Sequence, residues 1–162
     1  MPRGLRRVLS RLRLFGNHLG MTTEYMKYLG IDWGLNKIGL AIGDDEVKVA
    51  SPFDIILLGD KGDKGDITNG WIELKKVIRE NDVKKIIIGR PVSLGGDAAM
   101  KQAWQMFVDA VSGLGATVEF EDERMSTKMA QKLKRDFSFA KKKQGDDDVA
   151  AAIILQSYFD RL

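Results

Sequence analysis

The chain has 162 residues, with 26 basic and 23 acidic side chains, one histidine and no cysteine. That length fits one domain with a core, in which about 70% of the unfolded chain's surface is buried. The missing cysteines exclude disulfides, thiolate catalysis and thiolate-held zinc, and the lone His18 excludes a multi-histidine metal site and leaves little room for a serine–histidine machine. No apolar run approaches the ~20 residues of a membrane span, so no membrane partner is expected.

The charge is unevenly distributed. Five arginines (Arg3, Arg6, Arg7, Arg11, Arg13) and no acid fall in residues 1–21, which leaves residues 22–162 with a net charge of −2. The basic balance therefore belongs to the first segment. Residues 1–26 are expected to be a disordered basic extension, and residues 27–162 the domain. Three readings fit the extension: an Arg-rich, acid-poor transit peptide, an arm that touches RNA or membrane, or residues upstream of a true start at Met21 or Met26. The expected location is the cytoplasm, with organellar targeting the lesser reading.

From Lys27 onward, strand and helix patterns alternate. Tyr28–Trp33 and Ile38–Gly43 are apolar runs around Gly34-Leu35-Asn36-Lys37, which predicts a hairpin. Val47–Leu58 reads as extended chain, interrupted at Ser51-Pro52 because proline lacks a donor. Residues 59–70 are rich in glycine and charge and predict a loop. Trp71–Glu80 has helical spacing, Lys84–Gly89 is an apolar strand entered by two lysines, and Pro91–Asp97 is a loop. Ala98–Val111 is a helix, Thr117–Phe120 a strand followed by Glu121-Asp122-Glu123, and Ser126–Phe137 a helix. A basic loop over Ala140–Gly145 precedes a last helix, Asp146–Leu162. Hairpin-linked strands followed by helix-linked strands predict an α/β sandwich with a mixed sheet.

Three acidic points stand where chemistry needs them. Asp32 lies inside an apolar strand between Gly30 and Gly34, where an unpaired carboxylate is costly unless it meets a partner or a cation. Glu123 follows a strand end, where ligands bind in α/β sheets, although three adjacent acids are also what a solvated strand end looks like. Asp146-Asp147-Asp148 opens the last helix. One of them suffices as a cap, and the small residues that follow let this helix pack close to the sheet and carry an aspartate toward the strand ends. If the three points converge, they form an all-oxygen donor set, which suits Mg²⁺ or Mn²⁺. Two such ions serve in-line phosphodiester hydrolysis without a histidine base.

These segments carry a family resemblance. Lys27–Gly34 and Lys37–Asp44 resemble the opening hairpin of the YqgF/RuvX family of ribonuclease H-like nucleases. Ile86–Pro91 with Gly95-Gly96, Asp122–Thr127, and Asp147–Tyr158 resemble its central strand and loop, its Asp-Glu-Arg segment and its closing helix. The resemblance implies a ribonuclease H-like fold, a mixed five-stranded sheet flanked by helices. It implies a nuclease whose catalytic and metal-holding carboxylates are Asp32, Glu123 and Asp147, with Asp148 the next choice for the third, around two Mg²⁺ or Mn²⁺ ions. The implied role is maturation of the 5′ end of 16S ribosomal RNA, and the rival role is Holliday junction resolution. The sequence departs from the family pattern at Leu35, where a threonine is usual, at Arg90, where an apolar residue is usual, and over residues 59–70.

With an acidic domain, any phosphate-binding patch has to be local. The expected contacts are Lys37, Arg90, Arg124, Lys142 and Lys143; each also has a plain reading as a salt bridge, a cap or a solvated loop. Trp71, Trp104 and Phe107 have core spacing, and Trp33 is expected on the strand face opposite Asp32. The partner is nucleic acid, precursor rRNA favoured over a DNA junction, with ribosomal particles a further partner and a monomer or weak homodimer the expected state. A binding module without catalysis is the third reading. Actin-like ATPases and sugar kinases also open with Asp-x-Gly on a hairpin, but they need two such domains around a nucleotide.

Overall fold

The computed structural model describes residues 25–58, 68–91, 95–122, 135 and 147–162. Five strands, β1 (Lys27–Trp33), β2 (Lys37–Asp44), β3 (Ser51–Leu57), β4 (Val83–Arg90) and β5 (Thr117–Asp122), form one sheet in the order β3-β2-β1-β4-β5. β1–β2 and β2–β3 pair antiparallel, and β1–β4 and β4–β5 pair parallel. Helices α1 (Thr68–Glu80) and α2 (Ala98–Ser112) make the two crossovers, and α3 (Asp147–Phe159) follows β5. The mixed sheet flanked by helices is the architecture expected from the sequence. The expected Ser126–Phe137 helix and the basic loop lie outside the described residues, apart from Arg135, which is helical.

Each face of the sheet holds its own core. Leu29, Ile31, Ile38, Leu40, Ile86 and Ile88 meet Leu74, Ile78, Phe107 and Val111 of α1 and α2 on one side. Tyr28, Ala41 and Ile87 meet Ala151, Ala152, Ile154, Leu155, Tyr158 and Phe159 of α3 on the other. β4 is an interior strand covered on both faces, so its apolar run does not alternate with polar residues. Each fully buried Leu or Ile contributes about 1.5–3 kcal/mol relative to exposure.

α3 lies close to the sheet because the residues beneath it are small. A β-carbon at Gly30 would stand 2.8 Å from both the Ala151 carbonyl and Leu155 Cβ, one at Gly43 would stand 2.6 Å from the Phe159 ring, and one at Gly89 would meet the Ile154 side chain. The helix is apolar on nearly every side, and nine of its 13 residues are buried.

Several element boundaries differ from the sequence reading, among them the end of the last helix, which stops at Phe159 and not at Leu162. β3 begins only at Ser51, since residues 45–47 form a turn in which the Asp44 carboxylate accepts from the backbone N–H groups of Glu46 and Val47. Pro52 is accommodated because β3 is an edge strand. α1 starts at Thr68, inside the expected loop; Gly70 admits the close approach of Leu57, whose carbonyl would be 2.6 Å from a β-carbon there. β5 runs on to Asp122, so Glu121 and Asp122 belong to the sheet.

Candidate active site

Asp32 is the next-to-last residue of β1 and is half-buried. Alternation along the strand turns Leu29, Ile31 and Trp33 toward α1 and α2, and Asp32 toward the α3 face. Trp33 stands edge-on to Trp104 with ring centres 5.3 Å apart, on the opposite face from Asp32 as expected. The hairpin that ends β1 closes through the Gly34 N–H donating to the Lys37 carbonyl at 3.0 Å.

Across the hairpin Asp32 is paired with Gly39. Directly paired residues face the same side, and on that side Gly39 carries the start of α3. A β-carbon at Gly39 would fall on the Asp147 carbonyl, and it would stand 2.8 Å from the Asp148 amide nitrogen. Asp32 and Asp147 are thus joined through one glycine. The Asp147 side chain is 27% exposed and forms an ion pair with Lys37, the first residue of β2. Asp148 is different: it is 1% exposed, and its carboxylate accepts from the Val149 N–H at 2.9 Å. Both acids lie in the first turn of α3, where the helix dipole favours negative charge.

The far end of α3 is fastened to β5. The Tyr158 hydroxyl donates to Glu119 at 2.6 Å, and Lys85 Nζ donates to the same carboxylate at 2.7 Å. Ser157 donates to Glu121 at 3.0 Å, and Arg161 pairs with it. The Lys85 hydrogen bond holds the Glu119 carboxyl below its usual range, and Glu119 in turn pushes the Lys85 ammonium up. Burial is the main cause that raises the Tyr158 phenol. Glu121, which from sequence belonged to a solvated acidic end, is instead a buried anchor for the helix. Its partners lie 36 and 40 residues away, and no local signal points to them.

Arg90 ends β4 and is exposed; its guanidinium lies 5.5 Å from the centre of the Phe120 ring. Trp71 and Trp104 are half-buried against the α1–α2 core and Phe107 is buried within it, as their spacing indicated. Glu123, Arg124, Lys142 and Lys143 lie outside the described residues. Among the described residues no three His, Cys, Asp or Glu side chains are grouped to hold a metal ion, and no helix is long and apolar enough to cross a membrane.

A family profile described as "RuvX: Holliday junction resolvase" matches residues 26–161. The chain belongs to the RuvX family. Relatives within reach of this RuvX chain include a "Putative pre-16S rRNA nuclease" of Chloroflexus aggregans, 33% identical over 136 residues, covering 82% of the chain and 92% of the relative. A protein of the same name from Dictyoglomus thermophilum is 34% identical over 139 residues, covering 83% and 96%. Among solved structures, Thermus thermophilus RuvC in complex with a Holliday junction substrate superposes with a TM-score of 0.60 at 15% identity, covering 84% of this chain and 94% of that one. RuvC without the substrate gives 0.58 at 13% identity. At such identities the likeness establishes the shared ribonuclease H-like fold of RuvX and RuvC.

Proposed function

We propose that this RuvX protein is a metal-dependent nuclease that hydrolyses phosphodiester bonds in the 5′-end maturation of precursor 16S rRNA. The observation that carries this reading is the junction of Asp32, Gly39 and Asp147, which brings two carboxylate-bearing residues from the first strand and the last helix to one end of the sheet. The name shared by the relatives supports the choice of RNA.

The donor set fits a hard divalent cation. Asp32 and Asp147 offer only oxygen, Glu123 follows β5 directly in sequence, and the chain has neither cysteine nor a histidine in the domain. Asp32, Glu123 and Asp147 would hold the metal. Bound there, Mg²⁺ or Mn²⁺, two ions in this reading, supplies positive charge that favours ionisation of the attacking water and takes up charge on the leaving oxygen. The chain's own residues do the rest. The carboxylates orient the water and the scissile phosphate, and the rigid β1–β2 hairpin fixes Asp32. The clamp of Glu119 and Glu121 on α3 fixes Asp147. Lys37, beside Asp147, and Arg90, Arg124, Lys142 and Lys143 are the proposed phosphate contacts.

A second reading, resolution of four-way DNA junctions, is supported by the description of the matching profile. A resolvase cuts two symmetric strands and so requires a two-fold dimer. The proposed state is a monomer or weak homodimer, in the cytoplasm, with ribosomal particles as a further partner.

The test is to incubate the full chain with 5′-extended precursor 16S rRNA and with a four-way DNA junction, in Mg²⁺, Mn²⁺ or chelator. Metal-dependent trimming of the RNA is expected. Cutting of the junction alone would replace the first reading with the second. RNA binding without any cutting would favour a binding module.

A further inference from the structure

The end of the sheet that carries Asp32 also carries an aromatic surface on its other face. Phe120 of the edge strand β5 is 38% exposed, an unusual state for a phenylalanine in a sheet. Its ring is backed by Trp104 at 6.2 Å, and Trp104 is backed by Trp33, the residue after Asp32. On the open side Arg90 lies over the Phe120 ring. Among the described residues Arg90 makes no ion pair, although its register partner Asp122 is adjacent. The register sets Phe120 level with Ile88 and Ile31, one residue short of Asp32. Two strand spacings separate β1 from β5, about 10 Å.

An exposed ring backed by a second aromatic tilted at 56°, with a guanidinium over its face, has the chemistry that takes a nucleobase, on the ring or on the guanidinium plane, and its phosphate. A protein partner would find a small patch with a cation in it, whereas an unpaired nucleotide matches both the ring and the charge. We propose that Phe120, backed by Trp104 and faced by Arg90, is a stacking site for an unpaired base that flanks the cleaved phosphodiester around the end of the sheet. The inference deepens the nuclease reading, on which it rests for the path of the strand, and it makes a single-stranded flank part of the substrate.

The test separates the two. Binding of a fluorescently labelled single-stranded 12-nucleotide RNA, and of the same sequence as a blunt duplex, is measured by anisotropy in chelator for the full chain, Phe120→Ala and Phe120→Tyr. Thermal melting checks that each variant folds. Phe120→Ala is expected to weaken single-strand binding about tenfold, Phe120→Tyr to stay near the parent, and duplex binding to change little in either. Unchanged single-strand binding by Phe120→Ala, or equal loss for strand and duplex, would overturn the stacking site. Because no metal is present, the outcome is independent of cleavage. A chain that binds single strands through Phe120 yet cuts nothing would instead overturn the nuclease reading.

Discussion

Gly39 lies against the backbone of Asp147 so closely that a β-carbon would fall on the Asp147 carbonyl. The same glycine is the register partner of Asp32. One missing side chain therefore sets the distance between the first strand's carboxylate and the last helix's.

Gly39→Ala has to push α3 off the sheet or distort β2. Overpacking of this kind costs about 1–3 kcal/mol. The melting temperature should fall, and cleavage should fall by more than the lost folded fraction explains. Gly95→Ala is the comparison, since a β-carbon there meets nothing within 4 Å; it should be neutral or slightly stabilising. Equal effects of the two substitutions on melting and cleavage would contradict the role assigned to Gly39.

The two aspartates at the start of α3 should behave differently. Asp148 is 1% exposed, so Asp148→Ala removes a buried, hydrogen-bonded carboxylate and should cost about 1–3 kcal/mol of stability while the folded protein still cuts. Asp147→Asn should change stability little and abolish cleavage. Melting curves and rates per folded molecule decide this. Reversed behaviour would make Asp148 the third carboxylate.

Lys37→Met removes the partner of Asp147. Both side chains are partly exposed, so the pair contributes less than about 1 kcal/mol to stability. Its effect should appear in the substrate KM and in a shallower salt dependence of RNA binding. An unchanged salt slope would show that Lys37 serves Asp147 alone.

The clamp on α3 predicts a pH dependence. Glu119 is held below its ordinary value of 4.5, chiefly by the Lys85 hydrogen bond. It binds fewer protons folded than unfolded there, so its contribution is present above about pH 4.5 and is lost as pH falls through the lower folded value. Lys85 is raised above its ordinary value of 10.5, so its contribution is present below that value and is lost as pH rises beyond it toward the folded value. Glu119→Gln should lower the melting temperature at neutral pH and flatten its fall in acid. Parallel melting curves for the parent and Glu119→Gln across pH 3–7 would contradict the clamp.

Much of this was legible in the residues. The Gly34-to-Lys37 turn, the isoleucine run of β4 and the small residues of α3 are local signals, and each stands where its periodicity indicated. Asp32 was conspicuous because a carboxylate interrupts an apolar strand. The burial of Asp148 and Glu121 was not legible, because it depends on Gly39, Ser157 and Arg161, distant in sequence. Nor was the stacking of Arg90 on Phe120, since parallel register between β4 and β5 is set by the crossover and not by either strand alone. The start of α1 was missed because Gly70 reads as a loop residue until the close approach of Leu57 is seen.

The central claim is that Asp32 belongs to the cleaving centre. The direct measurement is kcat/KM on 5′-extended precursor 16S rRNA in saturating Mg²⁺ or Mn²⁺, for the full chain and for Asp32→Asn, with melting curves of both. Loss of several kcal/mol of transition-state stabilisation corresponds to a fall of at least about a hundredfold, with folding retained. Cleavage by Asp32→Asn within a few-fold of the parent would contradict the account.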